Sequence, residues 1–167
     1  MKIRQLKLIF AFAVALMAAF SASAQFPSVQ LKDLEGKTVD AASLNNDGKP
    51  FVVSFWATWC KPCLRELKAI HEVYPDWVDE TGMKLIAISV DEAQNVNRVK
   101  PRVNSEGWEY EVLLDTNGDL QRALGVQSVP HLFIIDGEGN IVESRSGYNE
   151  GSETHIIDKV RDLINKQ

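Results

Sequence analysis

Cysteine is the first scarcity. The chain holds two, Cys60 and Cys63, separated by two residues. A small secreted scaffold held by disulfides would spread four or more along its length, so that class is excluded. Histidine is nearly as rare, with three, which works against metal and haem readings of the pair. A structural zinc needs four ligands, and only His71, His131 and His155 remain to complete the set. His71 sits on an apolar helical stripe and reads better as a core residue. Covalent haem attachment needs histidine directly after the second cysteine, where Leu64 stands instead. No metal or other cofactor is expected.

Cations are also short, with 18 Lys and Arg against 23 Asp and Glu. Phosphate binding needs clustered cations, so nucleic acid is not an expected partner. The apolar run at residues 8–20 has 13 residues, too few for a bilayer span of about 20. Lys2, Arg4 and Lys7 precede it and Ala22-Ser23-Ala24 follows, which is the pattern of a cleaved secretory signal more than of a retained anchor. No cysteine follows Ala24 to take a lipid. Residues 1–24 are therefore read as a signal peptide and residues 25–167 as one exported domain, periplasmic or in the cell envelope. Without the three leader cations, 15 Lys and Arg face 23 acidic residues, a net charge near −8. No repeat, low-complexity tract or linker interrupts residues 25–167.

Periodicity supplies the elements. Residues 29–34 and 38–39 flank Glu35-Gly36-Lys37, as in a hairpin. Residues 51–56, FVVSFW, form an apolar run suited to a strand buried on both faces. Leu64, Leu67, Ile70, His71, Tyr74, Trp77 and Val78 then recur at helical spacing as far as Thr81-Gly82. Residues 83–90 make a second buried strand. Residues 93–106 read as a weaker helix that Pro101 breaks or starts late. A short strand at 111–114 and a short helix at 118–124 follow. Residues 132–135 and 141–144 are strands joined by a turn, and Ile156, Ile157, Val160, Leu163 and Ile164 form a last helical stripe. This order predicts an α/β fold with a central mixed sheet flanked by helices.

The cysteines lie where a buried strand turns through Ala57-Thr58-Trp59 into a helix. A bridge between them closes only a tiny loop, and chain-entropy stabilisation grows with loop length, so a structural role is poorly served. Redox chemistry is well served. Free backbone N–H groups and the helix dipole favour a Cys60 thiolate, Lys61 adds a cation, and Pro62 suits the first turn. Cys60 is the expected nucleophile and Cys63 the thiol that resolves the mixed disulfide. Glu66, three residues on, lies either beside Cys63, where it would handle a proton, or in solvent.

The stretch FWATWCKPC after a buried strand, with Val129-Pro130 before a later strand, resembles the thioredoxin superfamily. The hairpin QLKDLEGK and the secretory signal make it similar to TlpA/ResA-like thiol-disulfide oxidoreductases of the bacterial envelope. The resemblance covers essentially all of residues 25–167. It implies a thioredoxin-like fold with an N-terminal β-hairpin extension, a cis-proline at Pro130 packed on the disulfide, and a Val129 backbone that pairs with an extended substrate. It places Gly147 in a loop bordering the substrate groove, Trp59 on the apolar rim around Cys60, and Glu66 at the position of an acidic residue near the disulfide. Three positions depart from the family pattern. Ser54 replaces the buried aspartate of cytoplasmic thioredoxins and leaves Glu66 as its substitute. Lys68 stands where many relatives have proline, and His131 directly after Pro130 is unusual.

The expected activity is extracytoplasmic thiol-disulfide exchange with protein disulfides or thiols, recharged by a membrane redox partner. By resemblance it runs in the reducing direction, for example in cytochrome c maturation, although Lys61 pushes the couple toward oxidising. A peroxiredoxin-like peroxidase is the first alternative, with Thr58 near Cys60. A non-catalytic binding or copper-delivery module using the same groove and His131 is the second.

Overall fold

The computed structural model describes residues 26–166; the signal-peptide reading of residues 1–24 falls outside them. The strands are Gln30–Asp33 (β1), Thr38–Asp40 (β2), Phe51–Trp56 (β3), Lys84–Ser89 (β4), Glu111–Leu114 (β5), His131–Ile135 (β6) and Ile141–Ser146 (β7). The helices are Lys61–Thr81 (α1), Val99–Glu106 (α2), Asp119–Ala123 (α3) and Thr154–Ile164 (α4). All seven strands form one sheet in the order β2-β1-β5-β4-β3-β6-β7. β3, β4 and β5 are mutually parallel and every other pairing is antiparallel, so the sheet is mixed as predicted.

The centre of the sheet follows from composition. Every side chain of β3 is buried, as are all but the first of β4 and of β6. Burying each large apolar side chain contributes roughly 1.5–3 kcal/mol. The β1–β2 hairpin pairs with β5 and extends the sheet at that edge. Among the described residues no helix is long and apolar enough to cross a membrane.

Helix α1 connects the parallel strands β3 and β4. It runs unbroken through Lys68 and stops at Gly82, whose φ of +64° suits glycine and whose N–H donates to the Val78 carbonyl at 2.7 Å. Pro75 lies inside it and removes the N–H that would reach the His71 carbonyl, an interruption the apolar spacing did not reveal. His71 is half-buried edge-on to Tyr110, and its Nδ1 has no hydrogen-bond partner, so it is packed but not satisfied. The helix expected at 93–106 starts late: a 3-10 turn at Val96–Arg98 leads into α2, with Pro101 its third residue. Proline costs nothing there because first-turn N–H groups lack intrahelical partners.

Strand register decides what faces α1. Ser54 on β3 is opposite Leu132 on β6, and Leu132 is opposite Arg145 on β7. Residues paired in this way share a face of the sheet, so Ser54 and Arg145 look the same way although 91 positions separate them in the chain.

Candidate active site

Cys60 is the N-cap of α1, in extended conformation, with Lys61 and Pro62 following as the first two helical residues. It is bonded to Cys63 in a disulfide with Cα atoms 5.3 Å apart. The Cys63 N–H points at Cys60 Sγ over 3.3 Å. This is the free-donor environment expected of a helix start, and it favours negative charge on Cys60. Cys60 is 5% exposed and Cys63 is wholly buried, so only the first cysteine keeps any access to the surface. Trp59 beside it is 60% exposed, one of two exposed large hydrophobics among the described residues.

The loop carrying Cys60 is held from behind by Asp91, a residue that sequence reasoning missed. Buried Asp91 accepts from the Thr58 N–H at 2.8 Å, the Thr58 hydroxyl at 2.6 Å and the Ser89 hydroxyl at 2.9 Å. Thr58 is thereby committed to Asp91, which works against the hydroxyl role that a peroxidase reading needs.

Pro130 follows a cis peptide bond after Val129, as the resemblance implied. Because Phe55 is opposite His131, Pro130 lies alongside the end of β3 from which the chain leads to Cys60. The Gly147 N–H donates to the Pro130 carbonyl at 2.8 Å, so Gly147 borders the same edge with φ +79°. Neither backbone polar group of Val129 makes a hydrogen bond among the described residues, which leaves one residue of strand edge open. His131 Nε2 bonds the Ser144 hydroxyl at 2.8 Å and its ring packs on Phe133. Burial lowers its pKa, so it is neutral at pH 7.

Glu66 is 1% exposed, which removes the solvated alternative. Its Oε2 accepts from the Ser54 hydroxyl at 3.3 Å, and its Oε1 faces Arg145 Nη2 at 3.8 Å. The helix thus delivers a carboxyl beside buried Ser54 of β3. Burial pushes its pKa up to about 7, while Arg145 and Ser54 pull the other way. Arg145 also donates through Nη1 to the Ser152 carbonyl at 3.0 Å. Sequence reasoning missed Arg145, though its place at an inward position of alternating β7 was a signal. Among the described residues no group of three or more His, Cys, Asp or Glu is placed to hold a metal ion.

Residues 22–144 match the AhpC/TSA family. The chain belongs to that family. It is 36% identical over 121 residues to the thiol-disulfide oxidoreductase ResA of Bacillus thuringiensis (strain Al Hakam), covering 72% of this chain and 67% of that one. The solution structure of an uncharacterized thioredoxin-like protein from Porphyromonas gingivalis is 58% identical, covers 86% of this chain and 94% of that one, and superimposes with a TM-score of 0.77. A thioredoxin-family thiol:disulfide interchange protein from Chlorobium tepidum is 29% identical, covers 87% of this chain and 99% of its own, and has a TM-score of 0.66. The fold is thioredoxin-like, and this AhpC/TSA-family enzyme is a thiol-disulfide oxidoreductase with a Cys-x-x-Cys pair.

Proposed function

We propose that the oxidoreductase is exported and reduces disulfides of envelope proteins through Cys60 and Cys63. The observation that carries this reading is the asymmetry of the pair: one cysteine at a helix start that keeps 5% exposure, the other wholly buried with a carboxyl one turn further along the helix. In the dithiol form, the Cys60 thiolate attacks one sulfur of a substrate disulfide. That S–S bond breaks, a mixed disulfide forms, and the departing substrate thiolate takes a proton. The Cys63 thiol passes its proton to Glu66 and its sulfur attacks Cys60, which releases the second substrate thiol. Two electrons have then moved to the substrate, and the Cys60–Cys63 disulfide awaits a dithiol donor at the membrane.

Val129 supplies the strand edge on which an extended substrate lies, Pro130 and Gly147 shape that edge, and Trp59 gives it an apolar rim. Export rests on the basic, apolar and Ala-x-Ala pattern of residues 1–24, which leaves residues 25–167 as the working domain. The reducing direction, and a place in processes such as cytochrome c maturation, rest on likeness to ResA.

Equilibration of the Cys60–Cys63 couple against a thiol-disulfide buffer tests the direction. A potential at or below about −250 mV belongs with reductants, whereas about −120 mV belongs with enzymes that introduce disulfides and would reverse the assignment.

A further inference from the structure

We propose that the cleft between the Cys60 loop and the start of α2 is a subsite for an acidic residue of the polypeptide substrate, close in sequence to the cysteine under attack. This deepens the reading of the protein as a reductant of protein disulfides and rests on it.

Thr58 and Trp59 form one wall of the cleft, and Asn97, Arg98, Pro101 and Arg102 form the other, around about 550 Å³. Trp59 immediately precedes Cys60, so whatever occupies the cleft is within a few residues of the reacting sulfur. No Asp or Glu lines it, in a chain that carries 23 acidic residues against 18 basic ones. Arg98 is exposed and its guanidinium has no hydrogen bond or ion pair among the described residues. Arg102 commits Nη1 alone to Glu106, at 3.2 Å, leaving the rest of its planar fork for another acceptor. Lys61, two residues after Trp59 in the chain, is exposed as well but does not line the cleft. Of the nearby carboxylates, Glu106 offsets part of the Arg102 charge, and Asp91 is buried and accepts two hydrogen bonds from Thr58, which leaves Arg98 as the uncompensated cation of the cleft.

The chemistry of this wall selects its occupant. A guanidinium fork matches a carboxylate in geometry as well as charge, and an exposed indole face beside it takes the flat backbone or apolar part of the same strand. A substrate pairing with Val129 and crossing Cys60 advances about 3.3 Å per residue, so the residues flanking its cysteine are the ones that pass the cleft beside Trp59. The local field is opposite in sign to the protein's net charge, which turns away basic segments at the one place where exchange occurs.

The test uses two peptide disulfides that differ only in three residues flanking the cysteine, Asp in one and Lys in the other. Each is mixed with the reduced oxidoreductase, and the second-order rate is read by stopped-flow tryptophan fluorescence. The Asp peptide is expected to react about fivefold faster in dilute buffer, with the ratio falling toward one in 1 M salt. Arg98→Glu is expected to abolish or invert the ratio. Equal rates for the two peptides overturn the proposal, as does a ratio that survives Arg98→Glu but disappears in Lys61→Gln. Failure to reduce either peptide contradicts instead the underlying assignment as a disulfide reductant, so the two failures are distinct.

Discussion

Arg145 Nη2 stands 3.8 Å from Glu66 Oε1, and neither atom makes a hydrogen bond. The two groups come from a strand and a helix far apart in the chain and meet beneath the active-site end of α1. The cation is close enough to stabilise the carboxylate yet too far to share its proton. Removing the charge in Arg145→Met therefore raises the Glu66 pKa further, from about 7 to about 8 or higher. Carbon-13 NMR of labelled glutamate follows that titration directly. Ser54 and Glu153, the other groups acting on Glu66, are unchanged in this variant, so an unmoved midpoint would mean that Arg145 has no hold on it.

Glu66 also sets a pH dependence of stability. Its ordinary value of 4.5 is raised to about 7 by burial. Below about pH 4.5 the carboxyl is protonated in both folded and unfolded chains. Between 4.5 and 7 the unfolded chain releases a proton that the folded chain keeps, so the fold loses stability as pH rises, by about 3 kcal/mol in total. Glu66→Gln lacks this term. Denaturant unfolding of the oxidised proteins should show the variant gaining about 3 kcal/mol relative to wild type between pH 4 and pH 8. A difference that stays constant with pH contradicts a raised pKa.

Asp91 anchors the Cys60 loop through three accepted hydrogen bonds. Asp91→Ala leaves the half-buried Thr58 and buried Ser89 donors without their acceptor and is expected to cost about 2–4 kcal/mol. It is also expected to slow attack by Cys60, because the loop before it loses its support. Unfolding midpoints together with the rate of peptide disulfide reduction measure both effects, and an Asp91→Ala protein equal to wild type in both would show that the loop holds itself.

Much of the fold is legible in the sequence because the local signals agree. Phe51–Trp56 and the helical stripe from Leu64 to Trp77 can be read from apolar spacing alone, and Pro101 marks the late start of α2 correctly. The partners of Glu66 are not legible. Ser54 and Arg145 become neighbours of one carboxyl only through the Ser54, Leu132 and Arg145 register, which no local pattern encodes. Glu66 itself carried a signal: it is three residues after buried Cys63 and one before buried Leu67, on the helix face that packs inward. Asp91 was hidden for a similar reason, since its partner Thr58 lies across the ends of two adjacent strands, 33 positions away.

In the proposed exchange Cys60 is the sulfur that joins the substrate and Cys63 the one that frees it. Trapping tests it most directly. Cys63→Ser and Cys60→Ser proteins are each mixed, in reduced form, with a disulfide-bonded protein, quenched with acid and resolved by non-reducing electrophoresis and mass spectrometry. A stable one-to-one mixed disulfide through Cys60 is expected in the Cys63→Ser protein and essentially none in the Cys60→Ser protein. Equal trapping by both, or trapping through Cys63 alone, would contradict it.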